Sequence, residues 1–372
     1  MFFLIFTAVM GLLNLYLYRR FLRRQHLLPS KLGLGLALAL MGGEILYAAD
    51  RFFGFLPDSP TLIMLLGGCI GVTFMLFVIA VIYDLLRAVG SKGTTHFDPA
   101  RRQSLRILFD AAFLLMAISY LWKGVHHGGK TPAIRRVTVP IPGLKTDKFT
   151  IVQWSDVHVG RTIKAPFVGD LVERTNALKP DLVAITGDLA DLPANRAAAD
   201  LAPIGQLQAP VCYVPGNHEY FHGVEDILAY LEMLGVKTLP NASLPIGGAD
   251  PFLTVVGLND LMGNRWGVRP PDWNQAFAGV DQSKPVVVLA HQPKCIEQTD
   301  HHRCDLMLSG HTHGGQIFPF GLLVMLAQPY LAGLHTHSNG QQIYVSRGTG
   351  YWGPPVRVLA PSEITLLTLV PA

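Results

Sequence analysis

The stretch Asp181-Leu-Val-Ala-Ile-Thr-Gly-Asp188 is an apolar run that ends in a glycine and a carboxylate. A run of this length, bounded by Pro180 and Gly187, predicts a buried β-strand. Glycine allows a sharp turn at the end of a strand, so the Asp188 carboxylate is expected at the edge of a sheet. Ligand sites of α/β folds lie at such edges. The stretch therefore predicts an α/β domain with Asp188 in a ligand site.

Two further groups of polar residues follow short apolar runs. Asp156 and His158 follow one run, and residues two apart in extended backbone point to the same side. Asn217 and His218 follow another run. An asparagine carbonyl oxygen can bind a metal ion, and an imidazole that is not a ligand can act on a leaving-group oxygen. Taken singly, each group also fits a surface turn or a helix cap.

Three histidines complete the pattern. His291 follows an apolar run, while His311 and His313 lie in the glycine-rich turn Ser309-Gly-His-Thr-His-Gly-Gly315. Neutral imidazoles in an H-x-H pair suit zinc, iron or manganese, and the glycines allow close approach of the backbone. This turn is the most specific indication of a metal site in the chain.

Strand and helix patterns alternate from residue 149 onward. Apolar runs bounded by glycine or proline predict strands, and longer amphipathic segments predict helices. The predicted strands are 149–154, one ending at 187, 211–214, 252–257, 286–290, 342–346 and 364–369, and the predicted helices are 166–178, 195–207 and 224–234. The order is α/β at first and richer in strands towards the end.

The first third of the chain has a different composition. Half of the 372 residues are hydrophobic and only 15% are charged, against roughly 25% in an average globular protein. The unbroken apolar segments fall near residues 1–18, 32–49, 61–83 and 105–122, each close to the roughly 20 residues that a bilayer requires. We therefore expect a transmembrane region over 1–125, a linker and entry strand over 126–148, and a catalytic domain over 149–372.

Charge distribution predicts the membrane topology. The net charge of +4 is modest, and the basic residues cluster beside the apolar segments, which argues against a nucleic-acid partner. Five basic residues separate segments one and two, and four separate segments three and four with Arg106 at the start of segment four, whereas Arg51 alone lies between two and three. By the positive-inside rule the two basic loops are cytoplasmic. Four spans then predict a multi-pass inner-membrane protein with an extracytoplasmic catalytic domain.

The order D-x-H, G-D, G-N-H-E, H and G-H-x-H resembles that of the calcineurin-like metallophosphoesterase superfamily over residues 149–369. The flanking residues, among them Gly310-His-Thr-His-Gly-Gly-Gln316, resemble its bacterial membrane-associated branch. The resemblance implies an α/β fold, namely a four-layer αββα sandwich of two mixed sheets. In this chain the sandwich would be preceded by a bundle of about four transmembrane helices, which the apolar segments predict.

The resemblance also implies the roles of the site residues. It implies two divalent ions, Mn, Fe or Zn, and a catalytic His218 over the scissile phosphate. One ion would be held by Asp156, His158, Asp188 and His313, and the other by Asp188, Asn217, His291 and His311. A hydroxide bridging the ions would attack a phosphodiester or phosphomonoester in line, so no protein nucleophile is needed.

Two other functions stay open at this stage. The substrate could be a lipid-linked pyrophosphate, as in UDP-diacylglucosamine pyrophosphatases, or another lipid-linked or nucleotide-sugar phosphoester. The domain could also be a metal-binding scaffold without turnover, which the presence of His218 and the complete ligand set argues against.

Four features near these motifs have more than one interpretation. Glu219 could orient the His218 imidazole, and Asp191 could either support the site or cap a helix. The apolar stretch 318–326 could be core or a lipid-facing loop. A second H-x-H pair, His335 and His337, lacks the surrounding glycines and is expected to lie apart from the site.

Overall fold

A computed structural model describes residues 2–93, 98–299, 301–338 and 340–372. The chain forms two compact units. The first comprises Met1–Gly129 with Gly353–Val358, and the second comprises Lys130–Trp352 with Leu359–Ala372.

The first unit contains four long helices at the four predicted apolar segments. They are α1 (Phe2–Arg20), α2 (Ser30–Phe53), α3 (Pro60–Gly93) and α4 (Pro99–Gly128). Among the described residues, α2, α3 and α4 are long and apolar enough to cross a membrane, and α1 is a shorter apolar helix of 19 residues. The prediction of about four membrane helices is thus in rough agreement with the structure.

Some polar side chains inside this unit pair with one another. Glu44 of α2 is 1% exposed, and its carboxylate accepts a hydrogen bond of 2.8 Å from Asn14 Nδ2 of α1. A carboxylate is costly in lipid, so it is expected to face a neighbouring helix. Arg20 and Arg24 both form ion pairs with Asp84 of α3. The basic loop after α1 therefore lies at the same end of the unit as the end of α3.

The segment predicted as linker and entry strand begins with the end of α4 and contains the first strand. Helix α4 continues through Gly128, and the Gly124 carbonyl near its end accepts a hydrogen bond from the Arg357 N–H. Strand β1 (Ala133–Ile141) lies within the segment predicted as linker and entry strand. It tolerates Pro140 because it is an edge strand, where the missing N–H is not needed by a neighbour.

The second unit has two six-stranded mixed sheets. The first has the order β1-β12-β2-β3-β4-β5 and the second the order β10-β11-β9-β8-β7-β6. Strands β2 to β5 run parallel to one another, as do β7, β8, β9 and β11. After β1, the strands are β2 (Phe149–Trp154), β3 (Leu182–Thr186), β4 (Val211–Val214), β5 (Lys237–Thr238), β6 (Ala242–Ile246), β7 (Leu253–Gly257), β8 (Val286–Leu289), β9 (Leu306–Ser309), β10 (Gly333–Thr336), β11 (Gln342–Val345) and β12 (Glu363–Pro371).

The helices of this unit lie on the outer faces of the sheets or in loops between strands. They are α5 (Ala165–Leu178), α6 (Ala194–Leu201), α7 (Asn217–His222), α8 (Val224–Met233), α9 (Met262–Trp266), α10 (Trp273–Ala276) and α11 (Gly321–Val324). Short 3₁₀ segments occur at Leu22–Arg24, Ala202–Gln206, Pro293–Gln298 and His313–Gly315. The predicted strands are confirmed within about one residue except the last, which is longer at both ends. The predicted helix over 195–207 ends early and continues as 3₁₀ backbone.

Three apolar clusters stabilise this unit. One joins the facing sides of the two sheets, with Ile151 and Leu182 from the first and Val255 and Leu306 from the second. The other two lie between each sheet and its outer helices. The central strands β3, β4, β7, β8 and β9 are buried on both faces, which explains why their sequences are continuous apolar runs. The expected four-layer αββα sandwich is confirmed.

Candidate metal centre

The candidate residues come together beyond the carboxyl ends of five strands. They belong to loops that follow strands β2, β3 and β4 in one sheet and β8 and β9 in the other. Parallel strands deliver their carboxyl ends to one edge, so residues far apart in sequence meet there. The residues placed at this edge are Asp156, His158, Asp188, Asn217, His218, His291, His311 and His313.

Five of these residues have left-handed backbone conformations. Such φ values are uncommon for side-chain-bearing residues and cost of order 1–3 kcal/mol each. The residues and their φ values are Asp156 (53°), His158 (56°), Asp188 (50°), His311 (68°) and His313 (51°). Concentrated strain of this kind is typical of a site in which side-chain placement matters more than local stability.

Glycines allow the loops to approach one another closely. A Cβ atom on Gly216 would lie 2.3 Å from Asp188 Oδ1, and one on Gly310 would lie 2.2 Å from Asp156 Oδ2. Only glycine fits at such separations. The G-N-H and G-H-x-H motifs therefore require glycine for tertiary packing as well as for turning the chain.

One group of candidate ligands consists of Asp156, His158 and His313. The Nε2 atoms of His158 and His313 are 3.0 Å apart, and His313 Nε2 is 3.3 Å from Asp156 Oδ1. Two ligand atoms that each lie about 2.0–2.1 Å from one ion are separated by roughly 3 Å. The spacing of this group suits a single ion.

A second group consists of Asp188, His291 and His311. His291 Nε2 lies 3.1 Å from Asp188 Oδ2 and 3.2 Å from His311 Nδ1. These separations again suit one ion. Burial and the neighbouring His291 imidazole lower the pKa of His311 to about 3, so this imidazole is neutral, which is the form that binds metal.

Asp188 lies between the two groups. Its Oδ1 accepts a hydrogen bond from the His218 N–H, whereas its Oδ2 faces His291 of the second group and is 3.9 Å from His158 Nε2 of the first. Burial opposes ionisation of Asp188, but the His291 and His218 imidazoles hold its pKa well below the usual range. A charged carboxylate is therefore available to both groups.

Asn217 supplies a further test of whether the residues fit a metal ion. Its side chain is 8% exposed, and none of the described residues donates a hydrogen bond to its Oδ1 atom. Buried polar atoms normally have a hydrogen-bond partner. A carbonyl oxygen without one, beside a carboxylate and imidazoles, fits a metal ligand.

His291 and His158 each use Nε2 towards a ligand group, and a hydrogen bond at the other ring nitrogen, Nδ1, orients the imidazole. His291 Nδ1 is 2.8 Å from the Thr186 carbonyl oxygen, which only accepts, so Nδ1 carries the proton and Nε2 keeps its lone pair. His158 Nδ1 is 2.8 Å from Asp191 Oδ1, with the same consequence. This arrangement of a ligand imidazole and an oxygen acceptor is typical of metal sites.

Asp191 also contacts the predicted catalytic residue. Its Oδ1 is 2.7 Å from His218 Nδ1, so one carboxylate links His158 and His218. Although burial alone would lower it, the carboxylates of Asp188 and Asp191 raise the pKa of His218 to about 9. Of the two interpretations of Asp191, support of the site is the one that the structure favours.

Glu219 has a different role from the one expected. Its fully buried carboxylate accepts hydrogen bonds of 2.7–3.0 Å from the backbone N–H groups of Asp188, Leu189, Ala190 and Gly216. It therefore holds the loops after β3 and β4 together. The expectation that Glu219 orients the His218 imidazole is wrong, because Asp191 occupies that position.

Asp260 is a buried carboxylate near the site that was not predicted from the sequence. It follows β7, is 1% exposed, and accepts hydrogen bonds of 2.9 and 3.0 Å from the amide of Gln292, next to His291. Burial raises the pKa of Asp260 to about 6. Its position after a short apolar strand in Val256-Gly-Leu-Asn-Asp260 is the signal that could have found it.

Aromatic rings border the site on the side of His218. The rings of Phe221 and Trp352 lie 5.6 and 6.1 Å from the His218 ring, and Trp266 lies 5.2 Å from Phe221. All three rings are 46–50% exposed. The surface beside His218 is therefore apolar and accessible.

The second H-x-H pair lies apart from these groups. His335 is in β10, an edge strand, and stacks on Tyr330, which also contacts His337. The expectation that the pair lies outside the site agrees with this position.

Comparisons with known proteins identify the family. The calcineurin-like phosphoesterase profile matches residues 149–315. An uncharacterized metallophosphoesterase of Helicobacter pylori is 39% identical over 91% of this chain and 89% of its own length. A transmembrane protein with metallophosphoesterase domain from Danio rerio is 29% identical over 99% of this chain and 89% of its own length.

Among solved structures, a dimetal phosphatase from Danio rerio aligns with a TM-score of 0.38 and 15% identity over 59% of this chain and 91% of its own. The expected resemblance is confirmed by the profile and the bacterial relatives. The chain therefore belongs to the calcineurin-like phosphoesterase family, whose members are hydrolases acting on phosphoric ester bonds.

Proposed function

We propose that this protein is a membrane-anchored phosphoesterase that uses two divalent metal ions. One ion is held by Asp156, His158, Asp188 and His313, and the other by Asp188, Asn217, His291 and His311. The mixture of imidazole nitrogens and carboxylate oxygens favours manganese, iron or zinc over calcium and magnesium, which prefer oxygen ligands alone.

The position of Asp188 is the observation that carries this proposal. Its Oδ2 atom is 3.1 Å from His291 Nε2 and 3.9 Å from His158 Nε2, so one oxygen serves both ligand groups. The Oδ1 atom is occupied by the His218 N–H at 2.9 Å, which fixes the orientation of the carboxylate. A carboxylate shared in this way supports a paired-ion site.

The metal ions and the protein side chains would contribute different parts of the hydrolysis. When bound, two divalent ions supply a water molecule of lowered pKa and positive charge beside the phosphoryl oxygens. His218 Nδ1 lies 2.7 Å from Asp191 Oδ1, and the other ring nitrogen, Nε2, lies 3.9 Å from Asp188 Oδ2. A protonated imidazole in that position can donate a proton to the leaving oxygen, and the raised pKa favours the protonated form.

Hydrolysis of a generic aryl phosphodiester tests this proposal. Purified full-length protein treated with a chelator should lose activity, and Mn²⁺ should restore it far better than Ca²⁺, because imidazole ligands discriminate against calcium. Metal content measured on the same samples should approach two ions per chain. Full activity after complete metal removal would refute the proposal, and metal binding without turnover would favour the scaffold alternative.

We also propose that the catalytic domain is extracytoplasmic in an inner membrane. The basic loop after α1 and the end of α3 lie together through Arg20, Arg24 and Asp84, which supports placing both basic loops on the cytoplasmic side. The end of α4 then emerges on the other side.

A reporter fused after Ala372 tests the topology. Alkaline phosphatase at this position should be active, because it folds only outside the cytoplasm, while a green fluorescent protein exported by the same route should remain dark. The opposite pattern would place the domain in the cytoplasm and would imply an odd number of spans.

A lipid-linked pyrophosphate is the second candidate substrate. The exposed rings of Phe221 and Trp352 beside His218 favour a substrate with an apolar part on the leaving-group side. Mass spectrometry of membrane lipids after depletion of the protein would distinguish the two candidates, because only the lipid-linked substrate should accumulate in the membrane fraction.

A further inference from the structure

Residues 318–326, which include α11, follow the G-H-x-H turn and carry an exposed apolar surface. We call this segment the apolar loop. Six of its side chains are 42–83% exposed: Phe318, Phe320, Leu322, Leu323, Met325 and Leu326. Scattered apolar side chains on a surface are normal, but a continuous group marks an interaction surface. The alternative that this stretch belongs to the core is wrong.

The apolar loop is held rigidly in its exposed position. A Cβ atom on Gly315 would lie 2.4 Å from the Gly321 Cα, so the loop crosses the metal-binding turn in direct backbone contact. On its far side, Gln328 accepts a hydrogen bond of 3.0 Å from the Lys294 N–H and donates one of 3.2 Å to Gln292. The apolar side chains therefore cannot turn inward without disrupting the site.

The surrounding sequence lacks charge. No Asp, Glu, Lys or Arg occurs between Asp305 and Arg347. Loops in contact with water usually carry charged side chains. A loop that enters lipid avoids charged side chains, because burying a charge in lipid is costly. The composition thus favours a lipid environment over water.

The chain itself supplies a lipid surface within reach. Three helices of the first unit are able to cross a membrane, and four residues, from Gly129 to Pro132, connect α4 to β1. Four extended residues span at most about 14 Å. A bilayer is therefore an apolar phase that this domain always has nearby.

We propose that the apolar loop inserts into the lipid surface of the membrane to which the chain is anchored. Insertion at the interface would bury the apolar face about 5–10 Å into the boundary between headgroups and acyl chains. The loop would then hold the metal-binding turn close to the lipid headgroups. This inference does not require the proposed phosphoesterase activity.

A fluorescent label at Leu326 tests the insertion. Full-length protein with the background substitution Cys69→Ala and the change Leu326→Cys would carry an environment-sensitive dye in phosphatidylglycerol–phosphatidylethanolamine nanodiscs. The native cysteines Cys212, Cys295 and Cys304 are at most 4% exposed and should not react. We expect emission at shorter wavelength and quenching by nitroxide lipids, strongest with the nitroxide in the upper acyl chain.

Met233 provides a matched control. It is 82% exposed on α8, against 83% for Leu326, so Met233→Cys places the same dye on an equally exposed apolar position away from the loop. Equal emission and quenching at the two positions would overturn the proposal. A short-wavelength emission at Leu326 without lipid quenching would also overturn it, because a protein surface would then cover the loop.

The optical readout separates this proposal from the proposed activity. The Asp188→Ala protein should show the same quenching at Leu326, since lipid contact does not depend on turnover. A protein that hydrolyses phosphodiesters but shows no quenching would contradict only the inference about the loop.

Discussion

Replacing Asp188 with alanine is expected to remove both metal ions together and to lower kcat/KM by more than about 10³-fold. Loss of a single electrostatic contribution costs roughly 10²–10³ in rate, and this change removes the carboxylate that both ligand groups share. The physical reason is that Asp188 Oδ2 faces His291 in one group and His158 in the other. Metal analysis and steady-state kinetics on the purified variant measure both effects.

Three further variants make the Asp188 result specific. His158→Ala and Asn217→Ala should each weaken mainly one ion, because each residue belongs to a single group. Asp170→Ala removes a carboxylate that is 44% exposed on α5 and that pairs with Arg174 rather than with a candidate ligand, so metal content and activity should stay unchanged. Two ions and normal activity in the Asp188→Ala protein would show that this carboxylate is not shared.

Replacing His218 with glutamine is expected to lower kcat by about 10²–10⁴-fold, the range typical of a lost general acid. Metal content should remain near that of the unmodified protein, because His218 is assigned to neither ion. The loss should be larger for a substrate with an alkyl leaving group than for one with a nitrophenyl group, since a poor leaving group depends more on protonation. Comparing kcat for the two substrates tests the proton-donor role directly.

His335 offers a matched control for the His218 substitution. It belongs to the second H-x-H pair, stacks on Tyr330 and lies in an edge strand. His335→Gln should therefore retain activity towards both substrates. A His218→Gln protein that loses its metal as well would indicate that His218 binds an ion, and an equal loss for both leaving groups would argue against proton donation.

Much of the fold was predictable because its signals are local. The strand over 211–214 and the strand over 149–154 were predicted with the observed bounds, since short apolar runs bounded by turn residues need no distant information. Strand β1 was predicted only as an entry strand somewhere within 126–148, without its bounds or its partner. It pairs with β12, more than 200 residues away, and only that pairing makes it a strand.

The candidate site, like the fold, was predictable only where its signals are local. The motifs indicated which loops carry the chemistry, and the structure brings those loops together at one edge. The motifs could not indicate that Asp191, rather than the adjacent Glu219, contacts His218. That choice depends on the left-handed backbone at Asp188 and on the register between β3 and β4, which set where each carboxylate points.

The sequence by itself determined the family, the apolar segments and the strand ends at which Asp188 and its companions lie, because each depends on a short pattern of residues. Only the tertiary structure decided that Asp188 Oδ2 faces both ligand groups, that the Asn217 carbonyl oxygen has no partner among the described residues, and that residues 318–326 face outward. The first two depend on the packing of two sheets against each other, where contacts between residues more than 100 positions apart bring the ligand loops together, and the third depends on the backbone contact between Gly315 and Gly321.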